Sequence, residues 1–420
     1  MAVIRLPELC IAASAPAGGT QASSRAASVL LISFCAAAPL ASAPNLAAQR
    51  PSAMALNTPA ARHPEPFTRV AGVRELADGR VIVLDSRERR VVVVDMKSGE
   101  IHRIGQTGRG PGEYQMPRSL WPLPGDSSIV FDLASRAGPF IITPRATIAG
   151  ILRIVDSHAG GRVWMVQDAT DQRGRLYSQV PLSKKTAIGE IVSTDSGGIE
   201  RFDRSNGHRD TVAFISVRSV PSGMQPNRAG RPIAATGQRP TDAGVAPPFA
   251  ARDQWAVAAD GRVAIASPDP YRVTFVDTNG IRKVSKPFVV DRVPVTEAHK
   301  KLWREERQQP VAAMVFRGEG VTAQFMRVPY AEPEAWPARL PPFLNHAVSF
   351  APDGMLWIQR TTAAESSPLF DIVDREGRLV ARLTAPRRSR LVGFGAAAVY
   401  IVRIDDDDLE YLERFPLPRR

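Results

Sequence analysis

One recurring pattern limits what this chain can become: an Asp-Gly pair, a short apolar strand, a second strand ending in Asp, a turn with Gly, and a third strand. The first clear copy runs from Asp78-Gly79 through Val81–Leu84, Val91–Val94, Asp95, Ser98-Gly99 and Ile101–Ile104. The second runs from Asp260-Gly261 through Tyr271–Asp277 and Asn279-Gly280, and the third from Asp353-Gly354 through Leu369–Asp374 and Glu376-Gly377. Worn copies lie near 153–180 and 391–415. Runs of about four apolar residues are too short for helices, and consecutive valines favour strand because β-branched side chains pack well on a pleated surface.

A single sheet of this kind cannot bury both of its faces, but a ring of such sheets can, and it leaves only short edges. The pattern therefore predicts an all-β fold, a six-bladed β-propeller with four-stranded antiparallel blades and one short helical insertion. From Thr68 onward there are 353 residues, so seven blades also fit the length. A pair of β-sandwiches is the structural alternative.

The propeller is expected over 67–420. Two interruptions lengthen it. Residues 221–248 are rich in proline and glycine and poor in apolar residues, which predicts a long insertion. Thr296 to Gln309 lacks glycine and proline and is stopped by Pro310, which predicts a helix. Ala298, Leu302 and Trp303 give it a narrow apolar stripe that would lie against the propeller.

Residues 1–48 read as an export leader. Arg25 precedes the apolar run Val29–Cys35, and small residues follow up to Ala43. Pro39 interrupts the run and makes it short for a membrane span. An uncleaved anchor, or lipid attachment at Cys35, are the alternatives, though Phe34 is bulky for the latter. Residues 49–66 are expected as a flexible lead-in. The only cysteines, Cys10 and Cys35, fall within the leader, so the exported chain would have neither disulfide nor thiol chemistry. A periplasmic or extracellular location follows, with no membrane association after leader removal.

The formal charge is +12, carried mostly by arginine, since there are only seven lysines. The basic residues are scattered rather than blocked, and nucleic acid is not an expected partner.

The stretch Gly105 to Tyr114, read Gly-x-x-Gly-x-Gly-Pro-Gly-Glu-Tyr and followed by Pro117, resembles the signature of bacterial exported six-bladed β-propeller proteins related to the NHL-repeat group. The resemblance extends over about residues 72–415, including the Asp-Gly units and the final Glu410–Phe415 segment. It implies the fold rather than an activity. Within the loop, glycines allow backbone angles closed to other residues and Pro111 stiffens the turn. Arg109, Glu113 and Tyr114 are candidates for lining a ligand-facing mouth; the other reading is a structural joint between blades. No Lys-Ser/Thr follows, so this is not a phosphate loop.

No two histidines stand at metal-ligand spacing along the chain, but a propeller can gather distant residues on its axis. His158 and His346 are the histidines singled out as ligand-binding candidates, with His208 a further member of any axial group. Asp85, Asp95, Asp132, Asp277 and Asp374 recur at strand ends, which argues for capping of turns. Asp405 to Asp408 lacks the spacing of a calcium loop and reads as a solvated turn.

No catalytic residue is assigned from sequence, and no cofactor is expected. The main functional reading is a non-enzymatic binding module for an unknown protein, peptide or glycan partner. A calcium- or zinc-dependent hydrolase, lactonase or lyase with its site in the central channel is the alternative, and a cell-envelope scaffold is the third. Histidine or carboxylate side chains converging on the axis would favour the enzyme.

Overall fold

The valine-rich strands show why a ring forms. Val81, Val83, Val92 and Val94 pack with Tyr400 and Val402 of the last sheet. Their alternating neighbours Ile82, Leu84, Val91 and Val93 pack with Val130 and Phe140 of the next sheet. Successive side chains on a strand point to opposite faces, so one sheet feeds two cores. Each such side chain, when fully buried, contributes about 1.5–3 kcal/mol.

The computed structural model describes residues 51–418 except 134, 136–137, 153–167, 186–190, 218–224, 227–231, 234–247, 318–319, 328–331 and 334. Six four-stranded antiparallel blades are present. Blade one spans residues 70–103, blade two 117–151, blade three 169–216, blade four 254–284 and blade five 348–384. Blade six takes three strands from 389–416 and its outermost strand from Ala61–Arg62. The first strands of successive blades touch one another, from blade six through blade one to blade five, and so surround a common axis. The six-bladed, all-β expectation holds.

Residues 51–66, the described part of the 49–66 segment expected as a flexible lead-in, instead contribute strands. Ala61–Arg62 closes blade six by pairing with Glu413 and Arg414. Ser52–Ala55 adds a parallel strand to the outer edge of blade five. Leu56 is buried in the core shared by blades five and six. The physical reason is that blade six lacks a fourth strand of its own and would otherwise expose an unpaired edge. Glu410 seals the join. It is buried, accepts from the backbone N–H of Val70 at 2.6 Å, and receives Arg390 and Arg69.

The repeated aspartates fall into two groups. Asp95, Asp277 and Asp374 each accept the backbone N–H two residues on, at 2.7, 2.9 and 3.0 Å, and so fix the turn before the outer strand. Asp85 and Asp132 are buried and hold the chain entering their own blade, through Thr68 and Arg69 and through Gln115 and Met116.

In every blade the entry to the first strand and the link between second and third strands share one end of the ring. The longest described connection at that end, residues 285–347, joins blade four to blade five and carries α1, Glu297–Gln308. Thr296 caps the helix together with His299, whose Nδ1 accepts from the Thr296 N–H at 3.1 Å. Most of the expected insertion 221–248 lies outside the described residues; Gln225–Pro226 and Pro232–Ile233 pair within it. Among the described residues no helix is long and apolar enough to cross a membrane.

Candidate active site

The glycine-rich loop after blade one engages its own polar groups. Tyr114 is 1% exposed, its ring stacks on Phe140 at 5.4 Å, and its hydroxyl accepts from the Val91 N–H at 2.9 Å. Glu113 turns back into the loop and accepts from the Gly110 N–H at 2.6 Å and from Gln106 Nε2 at 2.7 Å. The Gly110 N–H, with Gln106 second, holds its carboxyl below the usual range. A Cβ at Gly108 would meet that carboxylate at 1.9 Å, which explains the glycine. Arg109 stands exposed beside them. The loop thus brings Arg109, Glu113 and Tyr114 together, with the last two held inside a joint. His158 lies outside the described residues.

His346 sits elsewhere, on the chain entering blade five. It is exposed and adopts a left-handed backbone, φ 59°. Such a conformation costs on the order of 1–3 kcal/mol for a residue other than glycine, though histidine tolerates it better than most. Gln254, on the first strand of blade four, fixes the bend. Its Oε1 accepts from the His346 N–H at 2.7 Å and its Nε2 donates to Asn345 Oδ1 at 3.3 Å.

Two blades away lies Asp168, at the head of the short first strand of blade three. Five blades carry the same hairpin turn, closed by backbone bonds from Leu76, Leu123, Asp171, Ala258 and Ala351 to the residue four further on. Three residues before it stand Val73, Leu120, Asp168, Trp255 and Val348. Four blades have an apolar residue there, and blade three has a carboxylate. Asp168 is exposed, and the protein packed around its carboxyl raises it above the usual range through desolvation. The Gln179 N–H, which donates to Asp168 Oδ2 at 2.8 Å, and the His346 charge pull the other way. Blades three and five are not neighbours, so the His346 charge acts on Asp168 past blade four, which lies between them. Trp255 lies between them on blade four and donates from Nε1 to Gln179 Oε1 at 3.0 Å.

Asn345 and Ala347 also line a cavity of about 350 Å³ between α1 and the loop end of blade five. Beneath it Arg360 is bound to Asp371 at 3.1 Å, and Asp371 also receives Arg382 and the Tyr271 hydroxyl.

Among the described residues, no group of three or more His, Cys, Asp or Glu side chains could hold a metal ion. The amide oxygens of Gln179, Gln254 and Asn345 each already accept a hydrogen bond. The described residues therefore offer no His, Cys, Asp or Glu cluster for a calcium or zinc ion.

Sequence had pointed to His346 but not to Asp168, Gln254 or Trp255. The available signal was the single carboxylate in a position otherwise apolar, readable only once the hairpin turns are aligned.

No family model matches the chain, and no curated protein matches it. Solved structures do. A calcium-binding protein, regucalcin, from Agrobacterium tumefaciens is 12% identical, with 88% of this chain and 97% of that one covered and a TM-score of 0.40. A protein of Bacteroides fragilis whose name marks it as exported is 12% identical over 88% and 95%, with a TM-score of 0.43. Virginiamycin B lyase from Staphylococcus aureus is 10% identical over 84% and 98%, with a TM-score of 0.39. Likeness at this level transfers no functional residue to this chain.

Proposed function

We propose that the protein is an enzyme of the hydrolase or lyase type, with Asp168 and His346 as an acid–base pair flanking the propeller axis. The observation that carries this reading is a carboxyl raised by desolvation that feels the charge of an exposed imidazole two blades away, itself held in a left-handed bend. Groups shifted by burial beside a specific charged partner are candidates for catalysis. A carboxyl that keeps its proton to higher pH can donate it to a leaving oxygen. A neutral imidazole can take a proton from water or from a carbon next to a carbonyl. In ester or lactone hydrolysis the water proton goes to His346, the hydroxide forms the new C–O bond, and the departing oxygen takes the Asp168 proton. No step needs a metal ion.

The test is turnover of p-nitrophenyl esters and simple lactones by the purified protein, before and after EDTA treatment. Asp168→Asn and His346→Ala should each lower the rate about 100- to 10,000-fold, with neither unfolding midpoint lowered. EDTA should leave the rate unchanged. Absence of turnover on every ester and lactone tried would sink the reading, as would activity indifferent to both substitutions.

A second reading, a non-enzymatic binding module for a peptide, protein or glycan, is favoured by the cavity beside α1. It predicts binding without turnover. We further propose that residues 1–48 direct export and that the glycine-rich loop reflects NHL-type ancestry. N-terminal sequencing of protein recovered from the periplasm or medium would test the former, and a start at Met1 would refute it.

A further inference from the structure

We infer that the cavity between α1 and blade five is a subsite for a neutral, apolar, ring-sized arm of the ligand, and that the substrates are esters or lactones bearing an aryl or branched alkyl group. This rests on the acid–base reading of Asp168 and His346.

Three observations carry it. The cavity and the axis share one stretch of chain, because Asn345 and Ala347 line the former while His346 between them belongs to the latter. A molecule filling the cavity therefore touches the residues on either side of His346 in the chain. Leu302 on α1 and Leu344 on the entering chain both line the cavity, and they remain 50% and 39% exposed. Trp303 and Leu340 form buried wall behind them. Water-exposed leucines around a hollow of about 350 Å³ favour an apolar guest.

The charges argue that the arm is neutral. Arg360, a cation of the lining, is already paired with Asp371 and donates to the Pro342 carbonyl at 2.9 Å. Glu306 at the rim opposes an anion. Gln359 and Thr361 add polar side chains to the lining, the Thr361 hydroxyl already donating to the Pro341 carbonyl.

The test uses the neutral fluorophore N-phenyl-1-naphthylamine, which carries the aryl arm without a scissile bond. The protein should bind it saturably with enhanced emission. Leu302→Asp and Leu344→Asp, both at exposed positions and so compatible with folding, should each weaken binding about tenfold or more. Ile281→Asp, at an exposed apolar position in the turn before the outer strand of blade four, should leave it unchanged. No binding by the unaltered protein, or equal binding by both leucine variants, would overturn the inference. The two readings fail separately. Fluorophore binding without ester turnover removes the acid–base site and the ester or lactone assignment but keeps the apolar subsite, and turnover that ignores Leu344→Asp removes the subsite alone.

Discussion

Two connections at the same end of the ring make opposite use of their side chains. Residues 104–116 join blades one and two, and residues 285–347 join blades four and five. In the first, the Tyr114 hydroxyl, the Glu113 carboxylate and the Gly110 N–H all find partners within the joint. In the second, an exposed histidine is held in a left-handed bend and two leucines stay open to water, opposite a crowded carboxyl. A segment that satisfies its own groups is working as structure. One that keeps strain, desolvation and exposed apolar surface has been shaped against stability, and such departures concentrate at functional sites.

The largest expected effect separates the two regions by stability. Tyr114→Ala removes a buried ring from its stack on Phe140 and strands the Val91 N–H. A loss of about 3–5 kcal/mol is expected, read as a lower urea midpoint, with turnover per folded molecule unchanged. Tyr114→Phe, which removes only the hydroxyl, should cost about 1–3 kcal/mol. If turnover falls further than the folded fraction, the loop belongs to the site and the contrast breaks.

A smaller effect comes from the other side. Gln254→Ala releases the His346 N–H and the Asn345 side chain together. Gln254 acts as a positioning residue, so kcat should fall about tenfold while KM moves little, and the unfolding free energy should change by less than about 1 kcal/mol. Gln254→Glu keeps an acceptor for His346 and should recover much of kcat. Loss of stability with kcat intact would make Gln254 structural and blur the comparison.

The same contrast separates what could be read in the chain from what could not. Val81–Leu84 and Val91–Val94 announce strands covered on both faces, because nothing else accommodates such runs between Asp-Gly turns. Thr296 and Pro310 bracket the helix for equally local reasons. Ala61–Arg62 carries no such mark. Two residues complete blade six only because the far end of the chain arrives there. His346 could be named from its residue type, but Asp168 lies two blades away and the ring alone brings it within reach. Local physics writes the blades, whereas closure and site depend on where the ends of strands meet.

The smallest effect gives the most direct comparison, because the two carboxyls shift in opposite directions. Glu113 is held below its ordinary value of 4.5, first by the Gly110 N–H. Its contribution to stability is present above that value and is lost as pH falls through the lower folded-state pKa. Asp168 is raised above 3.8 by desolvation. Its cost is absent in acid and grows as pH rises through the folded-state pKa, because the ionised form is the disfavoured one. Glu113→Gln should therefore lower Tm at neutral pH and converge with the unaltered protein in acid. Asp168→Asn should raise Tm at neutral pH and likewise converge. Melting curves from about pH 3 to pH 7 at low salt would show the two differences with opposite signs. If both variants shift Tm the same way at neutral pH, the carboxyls stand in similar surroundings, and the distinction between joint and site loses its electrostatic basis.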